Sequence, residues 1–226
     1  MNKSLSAFNY IKENAEHLLN EIPPNVTLLA AAKTRTVEEV QAAYAGGIRH
    51  FGHNYVQEAQ AMISAADFKA EWHMIGHLQR NKAGGAVELF DMIESLDSIR
   101  LAHELEKRCA EQGKTIEVLI EVNSGAEEDK TGVLPKDVGA LAEAVSGLQH
   151  MHLAGLMTMG PLSGEAELAR PYFRKTRELF EQIKLIKLPN CDMRVLSMGM
   201  SGSYKVAIEE GATMVRIGTL LFGTRA

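Results

Sequence analysis

The sequence predicts an α/β chain folded as a single (β/α)8 TIM barrel, and three observations carry that expectation. Short apolar and β-branched runs alternate along the whole chain with longer amphipathic segments, which implies parallel strands joined by helices. About eight such units fit into 226 residues, the length of a closed barrel of this kind. The first unit opens on an unbroken apolar run, Leu28-Leu29-Ala30-Ala31-Ala32, which suits a strand buried on both faces. An open doubly wound sheet is the main rival. The turn after the first strand, however, lacks the G-x-G-x-x-G spacing of a dinucleotide fold. No linker or low-complexity segment divides the chain, so residues 1–226 are expected to form one domain.

The elements follow in order. An extra N-terminal helix is expected over residues 4–19, with Ser4 as N-cap and Leu5, Phe8, Ile11, Ala15, Leu18 and Leu19 at helical spacing. Pro23-Pro24 stops it, and it would cover the place left after the eighth strand. The first strand leads into Lys33, and Thr36-Val37-Glu38-Glu39 reads as a capping box for a helix ending at Gly46-Gly47. Strands are then expected over residues 48–52, 71–75 and 92–95, and helices over 54–65 and 81–90. Asp97 is the expected cap of a helix that reaches Gln112 and stops at Gly113. Residues 116–122 form the clearest strand, being rich in β-branched side chains. Pro135 suits the first turn of a helix ending at Ser146-Gly147. A strand over 152–157, a helix over 166–185, a strand over 193–197 and a helix over 203–210 lead to the last strand, 214–217, with no helix expected after it.

Bulk properties narrow the function. A hydrophobic content of 46% and a charged content of 23% suit a soluble globular protein. The net charge of −5 disfavours nucleic acid as a partner, because phosphate binding needs a basic face. Lys12, Glu13 and Glu16 interrupt any apolar signal-peptide core, and no apolar run approaches the roughly 20 residues of a membrane helix. Cys109 and Cys191 are isolated, without metal or redox spacing, which suits a reducing compartment. A cytoplasmic protein without membrane association is expected.

Two stretches carry chemistry. Lys33 places a primary amine at the carboxyl end of the first strand, the end of a barrel where ligands collect, and such an amine can form a Schiff base. The run Leu196-Ser197-Met198-Gly199-Met200-Ser201-Gly202-Ser203 and the turn after Met214-Val215-Arg216-Ile217-Gly218-Thr219 follow strands seven and eight. Barrels often bind phosphate there through backbone amides and hydroxyls. Ordinary turn chemistry is the plainer reading of both loops. Arg216 is the charged residue of an apolar strand and must be paired or bound inside the mouth. An amine, a phosphate cup and a partner for a ring nitrogen are together what pyridoxal 5′-phosphate (PLP) needs.

The same residues carry a family resemblance. Ala30-Ala31-Ala32-Lys33-Thr34, Phe51-Gly52-His53-Asn54-Tyr55-Val56-Gln57-Glu58, the block from Trp72 to Lys82 and the C-terminal loops resemble the YggS/PROSC family of pyridoxal phosphate homeostasis proteins. That family is similar to the N-terminal barrel of alanine racemase, and the resemblance covers essentially the whole chain. It implies that Lys33 is the Schiff-base lysine and that Arg216 faces the pyridine nitrogen. It also implies phosphate contacts from Ser201, Gly218 and Thr219, and places Asn54, His77 and Met157 near the cofactor. An arginine at the ring nitrogen keeps that nitrogen unprotonated and weakens the cofactor as an electron sink. The segment from Asn123 to Gly132 matches a further family loop, to which no catalytic role is assigned.

This chain departs from the family pattern at two positions. His53 stands where members usually carry Glu, and Ser203 stands where they usually carry Asp. Ser203 is expected to cap the following helix, whereas His53 would change the charge near Lys33. His73 and His77 lie four apart, but on a strand and its loop rather than on one helical face. No metal site is expected from them. Met157, Met159, Met198 and Met200 are equally readable as barrel packing.

The expected function is non-catalytic: a carrier, buffer or regulator of PLP, with apo PLP-dependent enzymes as the partners the family implies. The alternative is an amino-acid racemase, which needs acid and base on opposite faces of the substrate. Lys33 could serve one face, but Tyr55, Tyr172 and Tyr204 have no evident place on the other. Alanine racemase supplies its second base from a C-terminal domain of the partner subunit. This sequence ends at Ala226 after the eighth strand, so that base is not expected and a monomer is preferred. A cofactor-free barrel enzyme that uses Lys33 on a phosphorylated sugar is the third possibility.

Overall fold

The computed structural model describes residues 3–161 and 165–224, with side chains from Phe8 onward. The expected cap Ser4 and the apolar Leu5 therefore have side chains outside the described part. Helix α1 (Lys3–Glu21) precedes β1 (Thr27–Ala31), α2 (Val37–Ala45), β2 (His50–His53), α3 (Val56–Ala65) and β3 (Glu71–Met74). Then come α4 (Ala83–Leu89), β4 (Met92–Leu96), α5 (Ile99–Gln112), β5 (Ile116–Val122), α6 (Val138–Ser146) and β6 (Met151–Thr158). Last are α7 (Arg170–Ile186), β7 (Cys191–Met200), α8 (Tyr204–Glu209), β8 (Met214–Ile217) and α9 (Thr219–Phe222). All neighbouring strands pair in parallel and β8 returns to β1, so the sheet closes as the expected barrel. Closure leaves no sheet edge unpaired.

The parallel registers sort the side chains. Leu29 pairs with His50 and Arg216, and Gly52 pairs with His73, so these five share the inner face. Leu28, Ala30, Phe51, Trp72, Val118 and Ile217 alternate with the inner set and join the large apolar layer beneath the helices. A smaller apolar cluster of Met92, Leu119, Ala154 and Met157 fills part of the interior. The rest of the interior is polar, which bears on the site. Helix α1 buries Ile11, Ala15 and Leu18 against α2 and α9, while Leu19 stays partly exposed.

Local rules account for most boundaries. The Thr36 capping box is complete, with Thr36 Oγ1 accepting from Glu39 N at 3.3 Å and Glu39 Oε2 accepting from Thr36 N at 2.8 Å. Helix α5 is capped by Ser98, whose Oγ accepts from Leu101 N at 3.3 Å, and not by Asp97. Asp97 is drawn off by His77 Nδ1, 3.1 Å away. Short 3-10 turns at Arg80–Lys82, Pro135–Asp137 and Ala166–Ala169 occupy the expected first turns of α4, α6 and α7. Helix α9 was not expected after β8. It exists because α1 satisfies its free carbonyls: Asn14 Nδ2 donates to Leu220 O at 3.2 Å and to Leu221 O at 3.1 Å. Among the described residues no helix is long and apolar enough to cross a membrane, and both cysteines are free.

Candidate functional site

Lys33 lies just past the carboxyl end of β1, in a turn closed by Arg35 N donating to Ala32 O at 3.0 Å. The next residue, Thr34, has φ +63°. A β-branched side chain rarely adopts that left-handed conformation, and holding it costs on the order of 1–3 kcal/mol. Glu58 on α3 supplies the restraint, because its Oε1 accepts from Thr34 N–H. Thr34 Oγ1 also donates to Lys33 O at 2.6 Å. Lys33 is half-buried, with its Nζ 5.3 Å from the centroid of the Tyr55 ring. The amine is thus presented at the mouth on a strained turn held from a neighbouring helix.

One strand away, the loops after β7 and β8 meet. Ser201 Oγ accepts from Gly218 N at 3.2 Å and from Leu220 N at 3.3 Å, which ties the two loops at their tips. Thr219 is exposed beside them. Gly199 has φ +90°, and a Cβ there would meet Ala207 Cβ at 2.5 Å. Only glycine lets the chain turn so tightly onto α8. Ser203 occupies the cap position of α8, but its Oγ accepts from Met200 N at 3.2 Å instead of capping the helix. The expected cap is therefore corrected: the hydroxyl stabilises the β7 turn that carries Ser201.

Beneath these loops the interior holds a buried polar network. Arg216 is 4% exposed. Its Nη1 donates to Ser197 O at 3.0 Å and to Ser197 Oγ at 2.6 Å, and its Nη2 donates to Thr158 O at 2.8 Å. Ser197 Oγ donates onward to Glu94 Oε2 at 2.6 Å, and Glu94 Oε1 is 2.8 Å from His73 Nδ1. Burial would raise the Glu94 pKa, but the bond to His73, the Arg216 charge and the Ser197 hydroxyl outweigh it and hold the carboxyl below its ordinary range. Burial pulls the Arg216 pKa down, against the carboxylates of Glu94 and Glu121, yet a guanidinium stays charged at any physiological pH. Glu121 faces the mouth with its pKa raised by burial. Thr131 Oγ1 donates to its Oε1 at 2.7 Å, and its Oε2 has no partner.

The remaining expected residues are spread around this centre. Asn54 and His77 line one cleft of roughly 330 Å³ that also includes Tyr55, so it adjoins Lys33. His77 is exposed and held by Asp97. Met157 is fully buried in the interior apolar cluster. A second cleft of roughly 250 Å³ lies on the other flank, between Glu121, Lys130, Thr131 and Met159. His53 points away from the mouth. It lies on the helix-facing side of β2 against Trp72, its ring nitrogens have no hydrogen-bond partner, and burial lowers its pKa to about 4. It is therefore neutral at physiological pH, where a glutamate would carry a negative charge. Its Nδ1 is 3.9 Å from Glu58 Oε1, the oxygen that restrains the Lys33 turn.

Sequence reasoning missed Glu94, Ser197, Thr158 and Glu121. A carboxylate inside Met92-Ile93-Glu94-Ser95-Leu96, otherwise an apolar strand, was the available signal for Glu94.

Comparisons place this geometry among known proteins. Residues 8–226 match the family described as alanine racemase, N-terminal domain. The pyridoxal phosphate homeostasis protein of Aquifex aeolicus is 45% identical over 199 residues, covering 88% of this chain and 86% of that protein. The protein of the same name from Haemophilus influenzae is 39% identical over 224 residues, covering 96% and 94%. Among solved structures, PipY of Synechococcus elongatus with PLP bound superposes with a TM-score of 0.86 at 36% identity, covering 94% of this chain and all of PipY. Alanine racemase of Clostridium difficile superposes with a TM-score of 0.82 at 13% identity, over 95% of this chain and 56% of the racemase, a likeness of fold alone. The chain belongs to the alanine racemase N-terminal-domain family, among its pyridoxal phosphate homeostasis proteins.

Proposed function

We propose that this protein binds PLP at the barrel mouth, with Lys33 as the covalent anchor, and serves PLP homeostasis in the cytoplasm as a carrier, buffer or regulator without robust catalysis. One observation carries the reading. The Ser201 hydroxyl and the amides of Gly218 and Leu220 converge one strand from the Lys33 amine, above a buried arginine. The donor set fits the group: hydroxyl and amide donors for a phosphate, an amine for an aldehyde, and a cation for a ring nitrogen. The relatives' shared name and the PLP held by PipY support the same assignment. Whole-chain organisation as one PLP-binding domain, residues 1–226, is part of the proposal.

Each residue has a part. Ser201, Gly218 and Thr219 would hold the phosphate, Lys33 would anchor the aldehyde, and Arg216 would face the ring nitrogen. Asn54, His77 and Met157 would complete the surround. PLP would supply an electron sink when bound, and Arg216, which cannot hand over a proton at neutral pH, would leave the ring nitrogen unprotonated and that sink weak. The tyrosines support a non-racemase role. Tyr55 stands beside Lys33, Tyr204 is buried in the outer apolar layer, and Tyr172 packs on the loop after β5. None of these positions favours a second base facing Lys33. An open mouth suits exchange of the cofactor with apo PLP-dependent enzymes, and a monomer suffices for that role.

Borohydride reduction of the PLP-loaded protein tests the reading. A pyridoxyl group on Lys33, with loss of the visible chromophore in Lys33→Ala, is expected. Absence of label on Lys33 overturns the cofactor assignment. Conversion of L- to D-amino acids that Lys33→Ala abolishes would instead establish a racemase.

A further inference from the structure

The amino-terminal end of the barrel, opposite the mouth, carries a second cluster. His50 and Glu71 are the first residues of β2 and β3. They pair in register on the inner face, beside His73 two residues further along β3. One ligating atom from each of the three lies within 4.8 Å of the other two, and His50 Nδ1 is 3.3 Å from Glu71 Oε2. His73 is 1% exposed, yet its Nε2 has no hydrogen-bond partner. His50 Nδ1, though close to Glu71, makes no aligned hydrogen bond either. Leaving a buried polar nitrogen unpaired costs about 1–3 kcal/mol, so two on neighbouring histidines beside one carboxylate call for a ligand.

The other side of His73 is already arranged for one. Its Nδ1 is hydrogen-bonded at 2.8 Å to Glu94, which is itself fully buried. A neutral imidazole that donates its N–H to a carboxylate presents a lone pair at the opposite nitrogen. Metal-bound histidines are oriented by such outer carboxylates. We propose that His50, His73 and Glu71 bind a divalent transition-metal ion of the zinc class at the amino-terminal end of the barrel, with Glu94 as the residue that positions His73.

The donor set selects the ion. Two imidazoles and one carboxylate suit Zn²⁺, Co²⁺ or Ni²⁺, whereas Mg²⁺ and Ca²⁺ take oxygen ligands. Bonds of about 2.1 Å in a tetrahedral site set ligand atoms roughly 3.4 Å apart. The His50–Glu71 pair already meets that spacing. The remaining gaps close by rotation of the outer two side chains, because Glu71 is 63% and His50 28% exposed while His73 is fixed. Their exposure also opens the site to solvent and leaves a fourth position for water. His77, four residues beyond His73 in sequence, takes no part, because the chain carries it to the mouth, where Asp97 holds it.

The site does not depend on the PLP assignment, and its test avoids the mouth. Full-length protein stripped with chelator is titrated with Zn²⁺ by calorimetry and with Co²⁺ by visible absorption. One ion per chain, a Co²⁺ spectrum of mixed nitrogen–oxygen coordination and a higher melting temperature with Zn²⁺ are expected. His50→Ala and Glu71→Ala alter solvent-reaching side chains, and each is expected to weaken binding by about tenfold or more. Failure of the wild type to bind one Zn²⁺ overturns the site. So does equal affinity in wild type and Glu71→Ala, the variant least able to disturb the fold, since the ion would then reside elsewhere.

Discussion

Arg216 and Glu94 face each other 3.7 Å apart inside the barrel, and the hydroxyl of Ser197 bridges them by donating to the carboxylate and accepting from the guanidinium. Neither charge is exposed to water, so each depends on the other and on the bonds around it. A buried pair adds little net stability over an apolar substitute, but removing one partner strands the other. Glu94→Gln is expected to cost about 3–5 kcal/mol, and Ser197→Ala about 1–3 kcal/mol. Urea denaturation at constant slope is the measurement. Loss of less than 1 kcal/mol in Glu94→Gln would show that Arg216 does not rely on that carboxylate.

The turn that presents Lys33 should respond to relief of its strain. Asparagine tolerates the left-handed region far better than threonine, so Thr34→Asn is expected to stabilise the protein by about 0.5–1 kcal/mol. Glu58→Ala removes the restraint on the same turn. Its expected signature is faster loss of PLP on dialysis, with a folded far-ultraviolet spectrum. Retention equal to wild type would separate Glu58 from the anchoring of Lys33.

Ser201 joins the two loops assigned to the phosphate. Ser201→Ala removes one hydroxyl and unties Gly218 N and Leu220 N, both near the surface. A loss of about 1–1.5 kcal/mol in cofactor binding, roughly tenfold in Kd, is expected with little change in melting temperature. Fluorescence titration with PLP reads it, and an unchanged Kd would remove Ser201 from the phosphate site.

His53 gives the protein a pH dependence. Its folded pKa of about 4 lies below the unfolded value near 6.5. Below that unfolded value the denatured chain binds a proton that the native chain refuses. The contribution is therefore complete above about pH 6.5 and lost as pH falls toward 4, on the order of 3 kcal/mol over the window. His53→Gln should flatten this part of the profile when unfolding free energies are compared at pH 7 and pH 5. Parallel profiles in the two proteins would assign the acid sensitivity to other groups.

The sequence by itself determined the order of strands and helices, the closed barrel and the end of it at which Lys33 and the loops after β7 and β8 stand. Those features are written in short-range chemistry: apolar runs, the Thr36–Glu39 box and the Gly199 turn each act within a few residues. Helix α9 was illegible because its carbonyls are satisfied by Asn14, more than two hundred positions away. The cap of α5 moved from Asp97 to Ser98 because His77, on another loop, claims the aspartate. His53 turned out neutral because the pleat sends alternate side chains to opposite faces, and its register puts it among aromatics under the helices. The chain from Arg216 through Ser197 and Glu94 to His73, and the meeting of His73 with His50 and Glu71, arise only when the barrel closes. Strand closure brings together inward-facing polar residues from strands far apart in sequence, and no local spacing records that.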